Sequence, residues 1–152
     1  EVLYGQSFDC PIDSNFVVPL GKSKIERSGN DVTIVAFSIM VGKALTAAIE
    51  LEKVGIDAEI INLRTLRPLD IDTIINSVKK TNRLVTCEEG FGFSGIGAEI
   101  SALIQENAFD WLDAPILRVS GADVPMPYAE NLEKLALPQS NDIIEKVKSI
   151  CL

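Results

Sequence analysis

Apolar and polar positions run along the chain in two alternating rhythms. From residue 32 onward, short β-branched runs trade places with amphipathic stretches, the pattern of a parallel sheet covered by helices. Residues 32–37 predict a buried strand. Val41, Ala44, Leu45, Ala48 and Leu51 then fall on one helical face, with Gly55 placed to end that helix. Residues 58–63 return to strand. Asp70 stands ready to cap a helix whose apolar face is Ile71, Ile74, Ile75 and Val78, and residues 84–87 predict a third strand. The glycine-rich segment 90–97 opens a helix carrying Ile96, Ile100, Leu103 and Ile104 on one side. Residues 115–119 read as a fourth strand, and residues 121–128, with two prolines and a glycine, as a shaped loop. A last helix turns Ile143, Ile144, Val147 and Ile150 inward.

The first thirty residues follow neither rhythm. Pro11, Pro19, Gly21 and Gly29 break them into short extended pieces around 16–18 and 24–26. The expected organisation is an arm with an edge hairpin over residues 1–30, then one domain over 31–152. That domain is α/β, a three-layer sandwich with a mostly parallel sheet of about five strands.

Composition narrows what such a domain can do. At 152 residues it can bury a full core, roughly 68–70% of its unfolded surface. No apolar run approaches the ~20 residues that span a bilayer, and residue 1 onward shows neither basic flank nor apolar signal core, so a targeting peptide is expected outside this segment. The formal net charge of −8 disfavours nucleic acid or an anionic membrane as the main partner. Cys10, Cys87 and Cys151 are odd in number, far apart and without a C-x-x-C pair, as in a reduced protein without structural zinc. The chain has 0 histidines, which removes the usual general base, the commonest metal ligand and every Ser-His or Cys-His nucleophile pair.

Ligands in open α/β sheets gather at the carboxyl ends of the strands, and three segments qualify. Ser38 to Gly42 leads from strand to helix, where free N–H groups could hold an anion or Ser38 could simply cap the helix. Glu88 and Glu89 end a strand beside the glycine run. Adjacent strand residues face opposite ways, and carboxylates repel phosphate, so a structural or interface role competes there with acid–base catalysis. Cys87, with acidic neighbours, is a poor thiolate nucleophile. Arg64 and Arg67 flank a strand exit, suited to an anion or a partner, or to ion pairs with acids such as Asp70 or Glu88.

Four stretches together resemble the pyruvate dehydrogenase beta-subunit family: Asn62-Leu63-Arg64-Thr65-Leu66-Arg67-Pro68-Leu69-Asp70, Lys80-Thr81-Asn82-Arg83-Leu84-Val85-Thr86, Glu88-Glu89-Gly90, and Gly121-Ala122-Asp123-Val124-Pro125-Met126-Pro127-Tyr128-Ala129. The order holds from Leu3-Tyr4-Gly5 to the last helix. The Arg64–Asp70 stretch alone resembles the wider transketolase C-terminal domain family, and Gly121 to Ala129 separates pyruvate dehydrogenases from branched-chain relatives. The glycine-rich segment departs from the family, which carries aromatic, proline or glutamine residues there.

The resemblance implies a subunit whose other domain helps bind thiamine diphosphate with magnesium and supplies a catalytic histidine. It implies an alpha subunit and a second beta subunit as partners, oxidative decarboxylation of pyruvate, and acetyl transfer to lipoyl groups of the transacetylase. This segment is then an assembly domain, expected to bind no cofactor and to be inactive alone, in the mitochondrial matrix or else the bacterial cytoplasm. Asp113 and the terminal carboxylate of Leu152 match the region that docks the transacetylase binding domain; Asp113 reads equally as a loop-capping acid. The competing readings are an autonomous anion- or nucleotide-binding regulatory module and the beta subunit of a branched-chain 2-oxo acid dehydrogenase.

Overall fold

The computed structural model describes residues 7 and 9–152; the Leu3-Tyr4-Gly5 stretch lies outside them. Five strands form one sheet: β1 (Lys24–Arg27), β2 (Val32–Ala36), β3 (Ala58–Asn62), β4 (Leu84–Phe91) and β5 (Leu117–Gly121). Their spatial order is β1-β3-β2-β4-β5, parallel throughout except for β1, which runs antiparallel to β3. Five α-helices accompany them: α1 (Met40–Glu52), α2 (Ile71–Thr81), α3 (Ile96–Ala108), α4 (Glu130–Ala136) and α5 (Ser140–Cys151).

Strand parity sorts the core into two layers. Val32, Ile34, Ala36, Ala58, Ile60, Val85 and Cys87 pack with α1 and α5, while Val35, Ile61 and Leu84 pack with α2 and α3. Both sheet faces are therefore dry, which is why β2 is buried at every residue and reads as a continuous β-branched run. Each large aliphatic side chain buried this way contributes ~1.5–3 kcal/mol.

Several boundaries differ from the sequence pattern. No hairpin forms in the first thirty residues that are described: residues 16–18 are not strand, and β1 pairs with β3 across the chain. Hairpin logic from local punctuation could not see that β3 had an unpaired edge. The helix expected to end at Gly55 stops at Glu52, with Lys53 as C-cap and Gly55 in the following turn at φ +82. Strand β4 runs on to Phe91, and Gly121 is what permits it, since a Cβ there would stand 2.3 Å from the Glu89 carbonyl oxygen. Strand β5 is displaced toward residue 121, and α4 follows the 121–128 loop where only one last helix was expected.

A buried polar cluster sits where the inner face of the sheet meets α2. Thr33 and Glu59 are register partners on β2 and β3. The Thr33 hydroxyl bonds those of Ser77 (2.6 Å) and Thr81 (2.7 Å), Ser77 donates to Glu59, and Lys80 closes on the same carboxylate. The Gly29 amide also donates to Glu59, at 3.4 Å. Satisfied donors let a carboxylate stay 1% exposed inside the fold. Glu59→Ala removes the acceptor shared by Ser77, Lys80 and the Gly29 amide, leaving Ser77 only the Thr33 hydroxyl, and is expected to cost about 2–3 kcal/mol, read as a lower urea midpoint at unchanged slope.

Candidate functional site

The carboxyl edge of the sheet is built from the exits of β2, β3 and β4. Ser38 (φ 54), Arg64 (φ 57) and Ser94 (φ 55) follow those strands, all in the left-handed region that non-glycine residues seldom enter. Because Ala36 pairs with Asn62, Ser38 and Arg64 lie side by side at this edge. Ser38 does not cap α1: the N-cap is Ile39, without a side-chain hydrogen bond. Gly42, in the first turn of α1, is exposed, with no atom within 4 Å of where its Cβ would be.

The connections leaving β2 and β4 pass to opposite faces, α1 to one and α3 to the other, which makes the crevice between them the switch point where such sheets take ligands. Glu88 fills it. Its two carboxylate oxygens accept the Ile96 and Gly97 amides, at 3.0 and 3.1 Å, so the positive end of α3 already holds an anion from its own chain. Glycine at 95 and 97 is forced by that contact, since a Cβ would stand 2.5 and 2.8 Å from Glu88 oxygens. The surrounding pocket of Val35, Phe37, Leu63, Thr86 and Ile100 leaves no space for a water molecule. Glu88 is 5% exposed, whereas Glu89 is half-buried. Burial, reinforced by the Glu88 charge, pushes the Cys87 thiol far above its usual range and keeps it protonated.

This crevice does not fit a diphosphate. Its helix N-terminus faces a fixed carboxylate, and among the described residues no group of three or more His, Cys, Asp or Glu could hold a metal ion.

The Arg64–Asp70 loop serves the leading segment instead. Neither Arg64 nor Arg67 forms an ion pair within 4 Å among the described residues, contrary to the expected pairing with Asp70 or Glu88. Asp70 is taken by the Ser23 amide (2.9 Å), the Thr73 hydroxyl (2.8 Å) and Lys22 (3.7 Å). Burial opposes its ionisation, but those partners hold the carboxyl below its ordinary value. Thr65 receives the Gly21 amide at 3.0 Å, so residues 21–23 are stitched to this loop. Arg64 acts at longer range: burial opposes the charge on Glu26, and Lys24, Asn62 and the Arg64 charge hold that carboxyl low.

At the opposite end of the sheet, two neighbouring residues bring together groups far apart in sequence. Asn82 (φ 60) accepts the Asp113 amide at 2.9 Å and donates its Nδ2 to the Trp111 carbonyl at 2.7 Å. Arg83 donates Nε to the Ile150 carbonyl at 2.8 Å and Nη1 to that of Asp31 at 3.3 Å. Exposed Asp113 and the 86% exposed Leu152 are thus presented at one end of the molecule by a single latch. Sequence reasoning missed the latch. An asparagine at a helix end was the available signal.

The model of the transketolase C-terminal domain matches residues 21–143, and the chain belongs to that family. Within it, the sequence is similar over nearly its whole length to beta subunits of the pyruvate dehydrogenase E1 component. It is 56% identical to that of Rhizobium meliloti over 99% of this chain, 58% to the mitochondrial subunit of Dictyostelium discoideum, and 59% to the mitochondrial beta-1 subunit of Arabidopsis thaliana. The chain spans only 33%, 43% and 42% of those relatives. Among solved structures, a split-gene transketolase described as an inactive beta4 tetramer superposes with a TM-score of 0.78 at 29% identity, over 91% of this chain and 44% of that one. A 2-oxoglutarate:ferredoxin oxidoreductase from Magnetococcus marinus shares the fold, with a TM-score of 0.56 at 14% identity over 86% of this chain and 19% of that one.

Two expectations test the edge. Gly42→Ala is expected to stabilise by ~0.5–1 kcal/mol, the ordinary helical gain, while Gly97→Ala destabilises by forcing Glu88 and Thr86 apart; thermal melts of the pair decide. Asp70→Asn is expected to cost roughly 1–2 kcal/mol at neutral pH. A depressed folded pKa contributes stability above the unfolded value, ordinarily 3.8, and loses it as pH falls through the folded value. The deficit of the variant therefore shrinks below that pH in urea titrations.

Proposed function

We propose that this chain is the C-terminal assembly domain of the beta subunit of a thiamine diphosphate-dependent pyruvate dehydrogenase. In that enzyme the alpha subunit and a second beta subunit complete the tetramer, pyruvate is decarboxylated, and the acetyl group passes to lipoyl groups of the transacetylase. The observation that carries the assembly role is Glu88, which occupies the crevice where a sheet of this kind ordinarily takes a ligand. Cofactor and magnesium are then held by other parts of the enzyme, and the carboxyl edge, with Ser38, Gly42, Arg64, Arg67 and Glu89, meets neighbouring subunits rather than a nucleotide. Exposed Phe93, Met126, Tyr128 and Leu135 supply the apolar surface such contacts need.

The relatives include both bacterial and mitochondrial subunits, and the compartment on this reading is the mitochondrial matrix or, for a bacterial source, the cytoplasm. Preference for pyruvate over a branched 2-oxo acid follows the pyruvate dehydrogenase beta subunits it resembles.

Asp113 and Leu152 form the docking point for the binding domain of the transacetylase, supported by the latch that sets them at one end. Asp113→Ala is expected to raise the dissociation constant for that domain at least ~10-fold, with the tetramer intact by native mass. An unchanged constant rules the docking role out.

A further inference from the structure

Thr86 stands two residues before Glu88 on β4, so both side chains enter the layer beneath α3. The residue is 2% exposed, and its buried hydroxyl has no hydrogen-bond partner among the described residues. A Cβ on Gly97 would stand 2.6 Å from Thr86 Oγ1 and 2.8 Å from Glu88 Oε1, so the two oxygens face the same side of the first turn of α3. The crevice thus holds three donors, the Ile96 and Gly97 amides and this hydroxyl, and Glu88 satisfies only the amides. Val35, Phe37, Leu63 and Ile100 wall it, and in such surroundings an unmet donor is costly while a met one is strong.

The amides and dipole at the start of the 13-residue α3 are chemically an anion receptor. Connectivity alone gives Glu88 its place there. The tether that holds its carboxylate on the two amides also keeps it from Thr86, whereas a free carboxylate is under no such restraint.

We propose that this crevice is a receptor for small carboxylates, closed by Glu88 as an autoinhibitory contact, with Thr86 as the third donor that an outside ligand engages. The proposal deepens the assembly reading above, which rests on a shut crevice. Acetate is the natural probe, because it has the same heavy atoms that Glu88→Ala removes beyond Cβ. Acetamide has the same shape without the charge, and separates anion binding from the filling of a void.

Hydrogen exchange of the Ile96 and Gly97 amides in the assembled enzyme reads occupancy directly, since Glu88 is their acceptor. Glu88→Ala is expected to speed their exchange at least ~10-fold. Acetate then slows it again in a saturable way, while acetamide, or chloride at equal ionic strength, does not. In the wild type all three leave these amides unchanged. Adding Thr86→Val to Glu88→Ala weakens the acetate effect about fivefold, although Thr86→Val alone leaves the melting temperature the same or higher, since it removes a hydroxyl without a partner. Acetate that protects no better than acetamide, or an acetate affinity indifferent to Thr86→Val, overturns the receptor and leaves the assembly reading standing. Wild-type amides that respond to acetate show that Glu88 does not close the crevice, and both readings fall. Should Glu88→Ala fail to assemble in chloride, repair by acetate but not acetamide supports the receptor, and no repair overturns it.

Discussion

A sheet covered on both faces leaves no water for the polar atoms of its strands, and that constraint organises the rest of the molecule. Strands β2, β3 and β4 each bring a polar side chain into the dry layer under α2 and α3: Thr33, Glu59, Thr86 and Glu88 are all nearly inaccessible. Each carboxylate needs donors from the chain itself. At one end, Glu59 gathers Ser77, Lys80 and the Gly29 amide; at the other, Glu88 takes the first amides of α3. Thr86 is the exception, its hydroxyl buried without a hydrogen-bond partner among the described residues.

The Glu88 arrangement also decides where function can lie. A helix N-terminus at a switch point is the place where this architecture elsewhere binds phosphate, and the same amides and dipole are available here. An internal carboxylate at 3.0 Å outcompetes an external anion because it carries no translational cost. The crevice therefore consolidates the fold, and the features that remain exposed are surfaces: the apolar carboxyl edge and the acidic end beside Asn82. On the proposed reading, a domain so arranged contributes contacts to an enzyme whose chemistry lies in other parts.

Periodicity alone revealed the alternation of strands and helices and the apolar faces of α1, α2, α3 and α5, since each depends on neighbours a few residues apart. What it could not reveal was pairing at a distance. The edge position of β1, the extension of β4 past Cys87 and the short α4 all depend on contacts between segments remote in sequence. At the candidate sites the same divide holds. The glycines at 95 and 97 are the clearance for a carboxylate eight or so residues earlier, a fit invisible to spacing rules. Asp70 was rightly placed at the start of α2, yet its side chain turned to Ser23, which sequence gave no reason to expect nearby. Ser38 lost its capping role because its backbone is left-handed, which removes it from the N-cap position.

The acidic end illustrates how a recognition surface can be fixed without using up its charges. Arg83 and Asn82 hold the 109–113 segment and the last turn of α5 almost wholly through backbone carbonyls and amides. Had the same positions been locked by ion pairs, Asp113 would be neutralised. Backbone bonds carry no net charge, so the geometry is set while the field of the acids remains directed outward, where it can speed encounter as well as hold the complex. Lys79 at this surface sits over a ring and forms no ion pair within 4 Å among the described residues. That arrangement keeps Asp113 available.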